Sequence, residues 1–460
     1  MKKAMKKFGI RRLVAGAAAA AATVFGTISH AENPIIQTKY TADPAPMVYS
    51  NTVYLYTSHD EDDARAFTMY NWMCYSTTDM ANWTDHGIVG GVREPYKTFK
   101  WADGNNAWAP QCIQRNGKFY LYCPFPYKGQ MVIGVAVADS PFGPFTDPLG
   151  KLLVAGSYDP TVFIDDDGQA YLYWGGNGPC YYVKLNEDMI SVSGGTSVAS
   201  IDFTGTPREA SYTEGPWLWR EKNHYYLAWA SRCCPEGIGY GMSDRPTGPW
   251  RCKGTIMDPN SKSSGNHPGI LDYKGNSYVF GFNYALNYAL TTVHRERRSI
   301  CVERMTYNAD GTIAKVPWWT KEGVPQIGTL DPYLQTEAAT ICWEAGVNTK
   351  NRSGGKAGVY VLINTNGACI KLKGVDFGKK GAKKFLASVA SASAGNKIEL
   401  RLDSETGPLI ATLKVKPTGA LDKWETQSCR VRGAKGVHDL YLKFNGGGGP
   451  RLNFDWWKFE

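Results

Sequence analysis

From about Ile35 to Trp319 the apolar residues come in short runs, bounded by Gly, Pro, Asn and Asp, and no helical periodicity persists across a dozen residues. Such text predicts strands and turns. One phrase recurs five times. Its strands are Val53-Tyr54-Leu55-Tyr56, Phe119-Tyr120-Leu121-Tyr122, Ala170-Tyr171-Leu172-Tyr173, Tyr225-Tyr226-Leu227-Ala228 and Ser277-Tyr278-Val279-Phe280. Ten or eleven residues before the key tyrosine stands a proline each time: Pro44, Pro110, Pro160, Pro216 and Pro268. The units are roughly 50 to 65 residues apart. A period near 50 with about four strands per unit matches a propeller blade, so the chain is expected to be all-β and to open with a five-bladed β-propeller. A tandem of β-sandwiches explains the strands but not the nearly fixed offset. In a propeller the innermost strand of each blade lines the axis, so the residues before the five prolines should converge on one cavity.

The pattern breaks into linker-like text between Lys321 and Pro332, and a strand-rich unit with alternation in Ile398–Asp403 and Leu440–Phe444 follows. The expected organisation is a leader over 1–31, a propeller over 32–325, a linker over 326–333 and a jelly-roll β-sandwich over 334–460.

Composition refines this picture. The 15 Trp, 27 Tyr and 17 Phe suit an all-β protein with aromatic binding surfaces. A net charge of +9 suggests an anionic partner, but Lys2, Lys3, Lys6, Lys7, Arg11 and Arg12 supply much of it. The remaining clusters, around Lys379–Lys384 and His294–Arg298, carry no recognition-fold signature, so nucleic acid is not expected as a partner. Those early charges, the apolar stretch Leu13–Ile28 and the small residues of Ser29-His30-Ala31 read together as a secretory signal. The mature protein is then expected to be secreted or periplasmic and to have no membrane span. The 11 cysteines are scattered and odd in number, which favours core packing over a disulfide framework. Adjacent Cys233 and Cys234 are the exception that could close a vicinal disulfide. There is no metal-type CxxC spacing.

The scaffold letters repeat, and the letters before the prolines vary. They are Asp43, Ala109 after Trp108, Asp159, Gly215 after Glu214, and His267. Each acid alone reads as a turn former, as Asp165, Asp166 and Asp167 before Gly168 do. Equivalent placement in a repeat is what turns do not need. Three carboxylates aimed into one cavity repel one another and cannot share one pKa. A calcium loop would space its acids closely on one segment. Glycoside hydrolysis wants acids on separate elements facing a sugar, and fits better.

The phrases Ala42-Asp43-Pro44-Ala45-Pro46, Tyr158-Asp159-Pro160-Thr161-Val162-Phe163 and Glu214-Gly215-Pro216-Trp217 resemble the catalytic signatures of glycoside hydrolase family 43. The likeness covers nearly all of residues 33 to 320. It implies a five-bladed propeller acting on arabinoxylan and related plant polysaccharides by inversion, with no organic cofactor. Asp43 would be the general base, Glu214 the general acid, and Asp159 the residue that raises the pKa of Glu214 and holds it. His267 resembles the family histidine near the axis, often associated with a water-coordinated calcium ion. Arg298, with Arg297 as competitor, looks like the blade-five arginine that reaches the sugar. Trp108 would stack on a sugar face or pack between blades.

The C-terminal unit resembles carbohydrate-binding module family 6 in Leu334-Gln335-Thr336-Glu337, Gly374-Val375-Asp376-Phe377-Gly378, Gly436–Leu442 and Asn453-Phe454-Asp455-Trp456-Trp457. The resemblance implies a structural calcium on Gln335, Glu337 and Asp455, and a sugar cleft with Trp424 and Asn453. Asn366-Gly367-Ala368-Cys369 departs from the common Asn-Gly-Asp-Tyr phrase, and Tyr360 is a weak candidate for the usual stacking tyrosine. The functional expectation is an exported hydrolase releasing arabinofuranose or xylose. Other readings are a same-family arabinan or galactan hydrolase and a sugar-binding propeller without catalysis. Fructan-cleaving propellers share Asp-Pro phrases but place a cysteine after the acid, where this chain has Gly215.

Overall fold

The computed structural model describes residues 32–460 except 262, 264–265, 353–357 and 447–450. The leader read over 1–31 lies outside them. Strands follow in the order the repeats predict. Blade one holds β1 (Tyr40–Tyr49), β2 (Thr52–Asp60), β3 (Met69–Thr77) and β4 (Trp83–Gly91). Blade two holds β5 (Gln111–Arg115), β6 (Lys118–Tyr127), β7 (Gln130–Ala138) and β8 (Val154–Ala155). Blade three holds β9 (Thr161–Ile164), β10 (Ala170–Trp174), β11 (Tyr181–Leu185) and β12 (Val192–Val198). Blade four adds β13 (Ile201–Asp202) outside β14 (Tyr212–Glu221), β15 (His224–Ser231), β16 (Gly237–Ser243) and β17 (Trp250–Met257). Blade five holds β18 (Gly269–Tyr273), β19 (Asn276–Asn283) and β20 (Ser299–Met305), with the short helix α1 (Ala285–Leu290) between the last two.

The innermost strands β1, β5, β9, β14 and β18 each touch the next, and β18 touches β1, so the five sheets close a ring. The segment leading into β1 seals it. Ile35 N–H donates to Ile300 O at 2.9 Å and Thr41 N–H to Arg298 O at 3.0 Å, laying residues 33–41 along β20. Closure removes an exposed sheet edge. The repeated aromatic strands are central in each blade: Leu55, Leu121, Leu172, Leu227 and Val279 are all fully buried, which is why the phrase keeps an aliphatic residue there.

The C-terminal unit begins with β21 (Thr336–Glu337) and β22 (Thr340–Ile341), then packs two sheets face to face, the first six-stranded with β21 at its side and the second five-stranded. One sheet orders β24 (Val347–Asn351), β25 (Val359–Ile363), β32 (Leu452–Phe459), β27 (Lys384–Ser391) and β30 (Glu425–Arg430). The other orders β23 (Trp343–Ala345), β26 (Cys369–Asp376), β31 (Val437–Asn445), β28 (Lys397–Leu402) and β29 (Leu409–Lys414). Strand β22 pairs antiparallel with β4, covering the outer edge of blade one. Residues before the sandwich are held as well: Gln326 Nε2 donates to Asp79 Oδ2 at 3.0 Å and to Lys373 O at 3.1 Å. Asn82 exchanges two hydrogen bonds with the Lys373 backbone, at 2.8 and 2.9 Å.

Cys233 and Cys234 are disulfide-bonded. Of the other nine cysteines eight are buried, in keeping with a packing role. Among the described residues no helix is long and apolar enough to cross a membrane.

Candidate active site

The three acids meet at one end of the ring axis. Asp43, Asp159 and Gly215 each precede a proline and each take a left-handed backbone, with φ of 54°, 59° and 62°. Residues before proline favour extended backbone, and left-handed conformations outside glycine cost about 1–3 kcal/mol. The shared distortion bulges the strand: β1 slips register between Ala42 and Ala45, and β14 between Glu214 and Trp217. In blade four the distorted slot itself falls to glycine, and the acid comes one residue earlier. A Cβ on Gly215 would lie 2.9 Å from His267 Nδ1, so only glycine fits there.

The acids border a cavity of about 190 Å³, with Trp108, Arg298, Tyr158, Asn177, Phe67 and Met69 completing its wall. That is below the roughly 300–1,000 Å³ usual for small-molecule pockets, and it suits a single sugar ring. Asp43 is buried; its Oδ1 accepts from Arg298 Nη1 at 2.8 Å and its Oδ2 from Ser58 Oγ at 2.5 Å. Arg298 is fixed from behind by Asp60, which accepts from its Nε at 3.0 Å, its Nη2 at 2.9 Å and its backbone N–H at 2.8 Å. Phe67 and Phe282 flank the guanidinium, with ring centroids at 5.1 and 5.3 Å. Asp159 Oδ2 accepts the Gly215 N–H at 3.1 Å and lies 3.7 Å from His267 Nδ1.

These surroundings separate the acids electrostatically. Burial, then the charges of Asp159, Glu236 and Asp43, push Glu214 well above the usual carboxylate range against the pull of Arg298. Burial also raises Asp159, although His267 opposes it. For His267, burial pulls down, but the nearby charge of Asp159 outweighs it and the imidazole is raised. The pocket therefore holds one carboxyl poised to keep its proton, and another paired with a fixed cation. That combination can deliver a proton to one side of a bound sugar and polarise a water on the other.

Of the residues predicted for substrate, Trp108 and Arg298 are in the pocket wall. Trp108 packs edge-on against Tyr158 at 5.0 Å, and its buried indole N–H has no partner among the described residues. His267 stands behind Asp159 and Gly215, outside that wall. Arg297 points elsewhere, donating to Ala64 O and lying over Tyr40. Ser58, Tyr158 and Asn177 were missed as site residues, while Asp60, Phe67 and Met69 fall in the stretch 60–70, which the sequence offers as a pocket-shaping loop without marking any one residue. Tyr158 had a signal, since it opens the Asp159 phrase; the others sit in strand or loop text of ordinary appearance.

In the sandwich, Trp424 meets Tyr360 edge-on at 5.4 Å. Asn453 donates to Leu421 O at 2.7 Å, and its buried Oδ1 has no partner among the described residues. The implied calcium ligands are divided. Glu337 and Asp455 are close enough for Asp455, after burial, to raise Glu337, whereas Gln335 is exposed. Arg352 pairs with Asp455 and lies 3.8 Å from Glu337, so a guanidinium answers their charge. Oxygen donors facing a cation fit calcium chemistry. No trio of His, Cys, Asp or Glu ligand atoms gathers at His267 among the described residues.

Residues 31–313 match the family described as Glycosyl hydrolases family 43, and residues 337–460 match Carbohydrate binding module (family 6). The chain is 36% identical to an arabinoxylan arabinofuranohydrolase of Paenibacillus polymyxa, over 93% of this chain and 74% of that protein. It is 33% identical to one of Bacillus subtilis, over 97% of this chain and 96% of that protein. A crystal structure of a family 43 arabinoxylan arabinofuranohydrolase from Bacillus subtilis, in complex with cellotetraose, superposes with a TM-score of 0.82 at 32% identity. It spans 94% of this chain and 99% of that one. A β-xylosidase/α-arabinofuranosidase from a compost metagenome, in a calcium-free form with xylotriose, gives 0.57 at 30% identity, over 63% of this chain and 98% of that one. The chain belongs to glycosyl hydrolases family 43 and carries a carbohydrate-binding module of family 6 after its propeller.

Proposed function

We propose that the protein is an exported, inverting α-L-arabinofuranosidase that removes arabinose side groups from arabinoxylan. The observation that carries this is the single-sugar cavity between a carboxyl held protonated, Glu214, and a carboxylate paired with Arg298, Asp43. Glu214 gives its proton to the departing oxygen. Asp43 takes a proton from the water that attacks the opposite face of the sugar. Asp159 keeps Glu214 protonated and, through the Gly215 N–H, holds its backbone. A side group one sugar long suits a pocket of this size, and the names of the two nearly full-length relatives support arabinoxylan as the polymer. Calcium belongs to the sandwich in this reading, on Glu337 and Asp455, with Gln335 as third donor and structural in effect. Tyr360, Trp424 and Asn453 form the sandwich's sugar cleft.

The test is proton NMR of arabinoxylan during hydrolysis. Arabinose should appear first as the anomer opposite to that of the bond cleaved. Release of xylose instead would replace this substrate assignment, and retention of configuration would sink the mechanism. Asp43→Ala and Glu214→Ala should each lower kcat by at least about a hundredfold.

A further inference from the structure

Each blade turns from its second to its third strand at the pocket end of the ring, and three of these turns bear on the acids. In blade one Asp60 pairs with Met69, and the hairpin between them carries Phe67. In blade three Trp174 pairs with Tyr181 around Asn177. Phe67 and Asn177 both wall the sugar cavity. The blade-four hairpin is equivalent, with Ser231 paired to Gly237, and at its tip it carries the Cys233–Cys234 disulfide.

This hairpin stands on the Glu214 side. Arg232 N–H donates to Ser211 O at 2.9 Å, while Asn177 N–H donates to Thr213 O at 2.9 Å, so the two hairpins brace the strand lead into Glu214 at neighbouring points. Both cysteines are exposed, whereas Glu236 beyond them is buried. A Glu236 carboxylate oxygen lies within 4.8 Å of both sulfurs, and Glu236 Oε2 accepts the Asn266 N–H at 2.7 Å. The hairpin is thereby tied to the lead into His267. An exposed, uncharged, polarisable pair of sulfurs is thus presented on a braced support.

A cavity for one sugar leaves the rest of the substrate outside, and the bond to be broken must point toward the acid. The geometry points to the Cys233–Cys234 disulfide as a platform for the leaving-group pyranose, the backbone sugar that bore the arabinose. Its soft sulfurs would meet the C–H face of that ring by dispersion, and would hold the departing oxygen near Glu214. The inference rests on the function proposed above.

The test compares two substrates in oxidised and phosphine-reduced protein, and in the Cys233→Ser/Cys234→Ser variant. One is a xylotriose bearing a single arabinofuranosyl group. The other is 4-nitrophenyl α-L-arabinofuranoside, whose nitrophenolate departs without protonation and depends little on where the leaving group rests. The ratio of kcat/KM for the oligosaccharide to that for the aryl glycoside should fall about tenfold on reduction and in the variant, as loss of one apolar contact allows. It should return when the reduced protein is reoxidised. A ratio that stays constant, with both substrates unaffected or both impaired alike, would overturn the platform. If the untreated protein cleaves neither substrate, it is the proposed function that fails.

Discussion

Glu214 is the residue on which stability and activity pull in opposite directions. Its carboxyl is raised well above the ordinary 4.5, so the folded protein holds its proton more tightly than the unfolded chain does. By linkage that contribution is complete below about pH 4.5 and is lost as pH rises toward the folded pKa. Glu214→Gln, neutral at every pH, should therefore melt above the parent at pH 8 and close to it at pH 4, in paired calorimetric scans. In the proposed mechanism the same proton sets the alkaline limb of kcat/KM, which should fall where Glu214 ionises. Asp60 makes a second case. It is fully buried and grips Arg298 through three hydrogen bonds, so Asp60→Asn should cost roughly 3 kcal/mol in urea unfolding. A loss in kcat should accompany it, since Arg298 then no longer presents Nη1 squarely to Asp43.

Among the elements, the first strand of each blade does the most to build the site. Its left-handed residue before proline turns its own side chain into the cavity in blades one and three, and in blade four, where that residue is Gly215, turns in the side chain of Glu214 just before it. Gly215→Ala would add a Cβ both to that backbone and against His267, and should lower stability by about 1–3 kcal/mol with a matching loss of activity. Chemical denaturation of the variant beside Gly215→Ser, which should behave no better, checks it. This is also where the sequence was most readable. Proline at a steady distance from an aromatic strand marks blade starts through local chain geometry, so Asp43, Asp159 and Glu214 could be found from spacing and family likeness. Ser58 and Asp60 could not, because Thr57-Ser58-His59-Asp60 has the look of any strand end. Asp60 gains its role only by meeting Arg298, 238 residues later. The vicinal disulfide was open for a related reason: nothing in two adjacent cysteines says whether their hairpin brings the sulfurs together.

For the whole molecule, the boundary between propeller and sandwich is more tightly made than its text suggests. The linker-like stretch is pinned to Asp79 and Lys373, and Asn82 reaches across to satisfy both backbone groups of Lys373. Asn82→Ala would leave the Lys373 N–H unpaired and its carbonyl with Gln326 alone, at about 1–3 kcal/mol. Calorimetry should show the parent melting in one transition and the variant in two; one unchanged transition would mean that the remaining contacts, the β22–β4 pairing and the Thr349–Asp85 bond among them, couple the two halves without Asn82. The ring has a further property. Asp43 lies on the first strand of the ring and Arg298 at the entrance to its last, 255 residues apart, and they touch because residues 33–41 lie along β20. The proposed catalysis is therefore a seam between the two ends of the propeller. During synthesis Asp43, the base of the proposed mechanism, emerges early and waits, without its counter-charge, for the final blade, so on that mechanism no fragment short of the full circle can work. Hydrolytic activity then doubles as a report that the circle has closed, and a cut that spares every pocket residue but frees residues 33–41 would silence the enzyme.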